Sequence, residues 1–106
     1  MVDATQKPLQ LQQKEQELSV ILSKLQDLRM DQREQQLVLE AFNQFDDDRK
    51  CYRSVGGVLV ERTVGTVRPV LQAHETKVGE LMKSLEKDLS VGTEELRKLR
   101  EQSMKQ

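Results

Sequence analysis

Large side chains are nearly missing from this chain: among 106 residues there are two Phe, one Tyr and no Trp. A compact domain of this length ordinarily needs more aromatic bulk to fill a core. Cysteine is also scarce. Cys51 stands alone, which excludes an intrachain disulfide and fits a reducing compartment such as the cytosol. No apolar run approaches a membrane span, and no signal-peptide apolar region follows Met1. Charge of one sign is missing as well. Seventeen Lys and Arg against 18 Asp and Glu leave a net charge of −1, interspersed along the chain, so no basic field exists for nucleic acid. The sequence holds no Ser/His/acid set, no Cys with a partner His, no glycine-rich phosphate loop and no zinc spacing. An enzyme is therefore not expected, nor a cofactor or metal. The run Asp46-Asp47-Asp48 lacks the spaced partners and loop glycine of a calcium site and reads as a solvated helix terminus.

What the chain does have is Leu, Glu, Lys and Gln in a regular pattern. From Leu11 a heptad runs Leu11, Lys14, Leu18, Ile21, Leu25, Leu28, Gln32, Gln35, Leu39, Phe42, with steps of 3 and 4 and no slippage. Its flanks are almost all polar, so the stripe is the narrow seam of a coiled coil. At ~1.5 Å per residue a helix over residues 9–45 spans roughly 55 Å and cannot bury its own seam. A second heptad runs Val64, Val67, Leu71, His74, Val78, Leu81, Leu85, Leu89, Gly92, Leu96, Leu99, Ser103. The step Leu85 to Leu89 is 4 where 3 is due, a stutter that locally unwinds a supercoil. Pro69 predicts a kink, or a helix start nearer Thr66.

Between the heptads stand two β-prone runs split by Gly56-Gly57, a pair suited to a two-residue turn with positive φ. Pairing across it sets Val55 opposite Val58, Ser54 opposite Leu59, Arg53 opposite Val60 and Tyr52 opposite Glu61. Cys51, Val55, Val58 and Val60 then share one face, and Tyr52 and Leu59 the other. A short hairpin between long helices returns them antiparallel, each covering the other's seam. Counting outward from it sets Gln32 near His74 as one polar layer, and Lys14 near Gly92, where the seam softens. An isolated hairpin is marginal in water, and this one has apolar groups on both faces and two open edges. Either it folds back onto its own helices or hairpins of other chains cover it.

At the hairpin the sequence becomes specific. The block Arg49-Lys50-Cys51-Tyr52-Arg53-Ser54-Val55-Gly56-Gly57-Val58-Leu59-Val60-Glu61-Arg62-Thr63-Val64, followed by Val67-Arg68-Pro69-Val70-Leu71, resembles the centre of eukaryotic β-type prefoldin subunits. The resemblance implies a mainly α fold: a long antiparallel two-helix coiled coil joined by a single β-hairpin. That hairpin would pair with other subunits into a β-barrel body. One subunit would occupy residues 1–106, with helices over about 9–45 and about 64–103 and a hairpin over about 50–62.

It further implies an ATP-independent cytoplasmic holdase, a hexamer with other α-type and β-type subunits. Such a hexamer captures unfolded actin and tubulin and delivers them to the cytosolic chaperonin, with no cofactor, nucleic acid or membrane involved. Tyr52, Val55, Gly56, Gly57, Val58, Leu59 and Val60 would be assembly residues. Leu9, Leu11, Leu96, Leu99 and Met104, at the far tip where both chain ends meet, would hold clients. A scaffold subunit of a prefoldin-like assembly, without client binding, would need the same hairpin.

Overall fold

Both heptads form continuous helices in the computed structural model, which describes residues 6–104. Helix α1 is Gln6–Phe42 and helix α2 is Val64–Met104; between them lie strands β1, Lys50–Val55, and β2, Val58–Thr63. Neither helix is long and apolar enough to cross a membrane. The chain divides into two compact units: a hairpin unit, Arg29–Glu80, and a terminal unit made of the chain up to Leu28 with the chain from Leu81 onward.

In the hairpin unit α1 ends at Phe42, short of the expected Phe45. Its last carbonyls pass into i−3 bonding, with Asn43, Gln44 and Phe45 N–H donating to Glu40, Ala41 and Phe42 at 3.1–3.2 Å. Helix α2 starts at Val64 with Pro69 inside it, so the expected later start does not occur. The Thr66 side chain folds back on Thr63 at that start, and the two hydroxyls lie 3.1 Å apart. Thr66 Oγ1 accepts from Thr63 N–H at 3.3 Å and donates to the Thr63 carbonyl at 2.9 Å. Pro69 costs the helical hydrogen bond that its N–H would have made to the Gly65 carbonyl, yet α2 runs on through it.

Burial along α1 follows the expected seam at all ten positions, from half-buried Leu11 to half-buried Phe42, with Leu18 and Leu25 buried. Along α2 the phase differs at two. His74 and Leu81 are exposed, and their neighbours Glu75 and Met82 take the inner positions. The inner series is Val64, Val67, Leu71, Glu75, Val78, Met82, Leu85, Leu89, Gly92, Leu96, Leu99, Ser103. The step of 4 after 4 thus lies at Val67–Leu71–Glu75, beside Pro69, and not at Leu85–Leu89.

This shift breaks the expected Gln32–His74 layer. His74 Nε2 instead lies 3.1 Å from Asp31 Oδ2, and Gln35 Nε2 donates to Asp31 Oδ1 at 3.2 Å. Gln32 faces Gly79, where a β-carbon would stand 3.8 Å from its amide nitrogen. Gln35 Oε1 is buried with no partner, which makes the cluster costly as well as specific.

In the terminal unit Lys14 does lie against Gly92, yet the seam there is not soft. Leu18 fills the space a β-carbon would need, with its Cδ2 2.5 Å from that point. Lys14 Nζ pairs across the helices with Glu95 and lies 3.5 Å from Glu17 on its own helix. Arg100 pairs with Glu15 at 3.2 Å.

Candidate functional site

The hairpin presents the largest concentration of uncovered apolar side chains in its unit. Its register is Val55–Val58, Ser54–Leu59, Arg53–Val60, Tyr52–Glu61, Cys51–Arg62 and Lys50–Thr63. Gly56 and Gly57 have φ of 56° and 83°, the positive pair a two-residue I′ turn demands. A β-carbon at either position would meet nothing within 4 Å, so backbone conformation and not space selects glycine there.

Of the expected assembly residues, Tyr52 and Leu59 stand on one face at 64% and 70% exposure. Val55 and Val58, also more than half exposed, share the other face with half-buried Val60 and Cys51. The two strands pair only with each other, so each keeps an open edge. With four of its apolar side chains exposed, the hairpin is not folded onto its own helices.

Sequence reasoning missed what anchors the hairpin to the helices. Asp47 is the centre of that corner. Its carbonyl accepts the Gly65 N–H at 2.9 Å, while the Arg49 carbonyl accepts that of Val64 at 2.9 Å. Two N–H groups at the start of α2 are satisfied in this way. Arg68 Nη1 reaches Asp47 Oδ1 at 2.7 Å, and its Nη2 donates to the Phe42 carbonyl at 3.1 Å, at the end of α1. Arg49 lies 5.1 Å above the Phe45 ring. An Asp and an Arg separated by 21 residues give no local signal; Gly65, a poor helix former near a helix start, was the one trace.

In the terminal unit the five expected client residues divide. Leu9 and Met104 are exposed, Met104 at 85%. Leu11 and Leu99 are half-buried. Leu96 is buried at 7% and closes the seam, leaving only an edge of its side chain at the surface. Met104 lies at one end of a shallow groove along α2 lined also by Thr93, Leu96, Arg97 and Arg100. Arg97 bridges Glu94 and Glu101 there, at 2.8 and 3.1 Å. Hydrogen bonding from Arg97 holds the Glu94 carboxyl below the usual range, against a smaller opposing effect of burial. Among the described residues no group of three or more His, Cys, Asp or Glu is placed to hold a metal ion.

Fold and open hairpin together define an antiparallel helix pair of the hairpin-bearing coiled-coil class. The chain belongs to the prefoldin subunit family, whose pattern matches residues 5–106. It is 42% identical over 76 residues to the probable prefoldin subunit 2 of Dictyostelium discoideum, which covers 72% of this chain and 66% of that protein. Against prefoldin subunit 2 of Homo sapiens it is 40% identical over 86 residues, 81% of this chain and 56% of the relative. The chain thus spans between about half and two thirds of the length of these curated relatives. The crystal structure of the prefoldin beta subunit from Thermococcus strain KS-1 superposes with a TM-score of 0.83. That likeness extends over 96% of this chain and 90% of the other, at 20% identity. The expected two-helix and single-hairpin fold is therefore found.

Proposed function

We propose that this chain is a subunit of the heterohexameric prefoldin chaperone, an ATP-independent holdase acting in the cytoplasm. Its hairpin joins those of other α-type and β-type subunits in a β-barrel body. Its terminal unit holds unfolded chains, actin and tubulin among them, for delivery to the cytosolic chaperonin. Neither catalysis nor a cofactor enters this reading.

The observation that carries it is the uncovered hairpin, apolar on both faces with two open edges, in a chain of this family. Exposed strand edges are a liability unless paired, and pairing within a closed barrel removes them. Tyr52, Val55, Val58, Leu59 and Val60 supply the buried area of that contact, and Gly56-Gly57 sets its turn. At the terminal unit Leu9 and Met104 supply free apolar surface, and Leu11 and Leu99 part of theirs. Weak contacts of this kind, repeated on several subunits, hold a client by avidity without tight binding at any one.

The test is reconstitution with the α-type partner. Native mass reports assembly, and suppression of client aggregation without ATP reports holding. A hexamer of the right mass that suppresses nothing would favour the scaffold role instead. Replacing Leu9, Leu11, Leu99 and Met104 by Ser in the assembled hexamer tests the client residues, and unchanged suppression would remove them from the reading.

A further inference from the structure

The two faces of the hairpin differ electrically. The register places Lys50, Tyr52, Ser54, Leu59, Glu61 and Thr63 on one face. There Lys50 Nζ lies 3.3 Å from Glu61 Oε1, so the face neutralises itself. The other face carries Arg53 and Arg62 beside Val55, Val58 and Val60, with no acid among its residues. Arg53 stands opposite Val60 and Arg62 two residues further along that strand, so the two guanidinium groups are diagonal neighbours. Arg62 donates only to the Glu61 carbonyl, at 3.2 Å, and neither arginine has a carboxylate partner among the described residues.

A surface that covers Val55 and Val58 must also strip water from these cations. An apolar cover would leave them buried and unpaired, which is strongly unfavourable. A second copy of this chain, docked through the same face, would set guanidinium against guanidinium. Carboxylates on the incoming strand solve both problems, since the arginine fork donates paired hydrogen bonds to a carboxylate.

We propose that the Arg53–Arg62 face is a recognition surface for a partner hairpin that carries carboxylates, and that the same two charges reject a second copy of this chain. Attraction and repulsion then come from one pair of residues. The inference rests on the assembly reading above and names the chemistry of the partner at that site.

The experiment is competitive incorporation. Full-length wild-type chain and a mass-distinguishable variant are mixed in equal amounts with the remaining recombinant prefoldin subunits, and native mass spectrometry reads which is taken up. Uptake is expected to fall in the order wild type, Arg53→Lys with Arg62→Lys, Arg53→Gln with Arg62→Gln, Arg53→Glu with Arg62→Glu. The last should be disfavoured by about tenfold or more, and the preference should shrink as salt rises from about 0.05 to 0.5 M. Equal uptake of the Glu pair, or a preference indifferent to salt, overturns the inference while leaving assembly intact. Failure of the wild-type chain to enter any complex overturns the assembly reading, and this inference with it. Far-UV circular dichroism of each variant separates lost folding from lost recognition, and the graded Lys and Gln pairs decide the matter if the Glu pair does not fold.

Discussion

Gly65 and Asp47 touch through their main chains. The Gly65 N–H donates to the Asp47 carbonyl at 2.9 Å, and a β-carbon on Gly65 would stand 2.9 Å from Asp47 Cβ and 3.1 Å from that carbonyl oxygen. The glycine is there because two backbones pass too closely for a side chain. Arg68 closes the same corner by holding the Asp47 carboxylate and the Phe42 carbonyl together.

Gly65→Ala is therefore expected to destabilise the chain, although alanine is the better helix former by about 1 kcal/mol. Forcing a methyl group against backbone costs about 1–3 kcal/mol, so the net loss is about 1 kcal/mol. Thermal unfolding of the full chain measures it. A melting temperature at or above wild type would mean that the turn at Asp47 yields freely.

The phase of α2 makes a sharper demand on two adjacent residues. Met82 is buried and Leu81 half exposed. Met82→Ala should cost about 2 kcal/mol or more, and Leu81→Ala well under 1 kcal/mol. Denaturant titration of both variants distinguishes them, and the reverse order would restore the phase expected from spacing, with Leu81 in the seam.

Leu18 and Gly92 should behave as one unit. Gly92→Ala alone pushes a β-carbon into Leu18 and is expected to lower stability by about 1 kcal/mol. In a Leu18→Ala background the same change meets open space and should raise stability by up to about 1 kcal/mol, the helix preference of alanine. A double-mutant cycle reads the change of sign; additive effects would show that Leu18 does not occupy the glycine notch.

Stability should also vary with pH at both ends of the scale. The hydrogen bond to Glu95 is the largest influence on Lys14 and, against some desolvation, raises its pKa above 10.5. The folded state then holds that proton more tightly, so the contribution is complete below pH 10.5 and fades as pH rises through the raised value. Glu94 is the mirror case, its pKa lowered by Arg97, so its contribution is present above about pH 4.5 and fades in acid. Lys14→Gln should melt below wild type at neutral pH and converge with it in strong alkali. Glu94→Gln should converge with it in acid. A gap between variant and wild type that stays constant across pH would remove these pairs from the account.

Much of this architecture was legible in residue spacing. The α1 seam was readable because Leu18 and Leu25 have polar residues on both sides and Leu39 only one apolar neighbour, and their spacing fixes the phase even at Ile21, which Val20 and Leu22 flank. Along α2 the same reasoning slipped where adjacent residues were equivalent candidates. His74 and Glu75 are both polar, Leu81 and Met82 both apolar, and spacing alone cannot rank them. The hairpin register was readable because Gly56-Gly57 fixes the turn and the turn fixes every pair. The corner at Asp47 was not, since it is made by main-chain contacts and a long-range arginine that leave no periodic trace. At Lys14 and Gly92 two weak seam residues were correctly matched, yet the leucine filling the gap came from the next layer.

The junctions on the two sides of the hairpin are unequal. Strand β2 ends at Thr63 and α2 begins at Val64, with no residue between, whereas α1 and β1 are separated by residues 43–49. A strand that runs straight into a helix leaves no residue to absorb a change of direction, so within the hairpin unit the first turn of α2 takes its course from β2. The longer turn at residues 43–49 has no such continuity, and its place is set instead by the bonds of Asp47, Arg49 and Phe42 to that first turn and to Arg68.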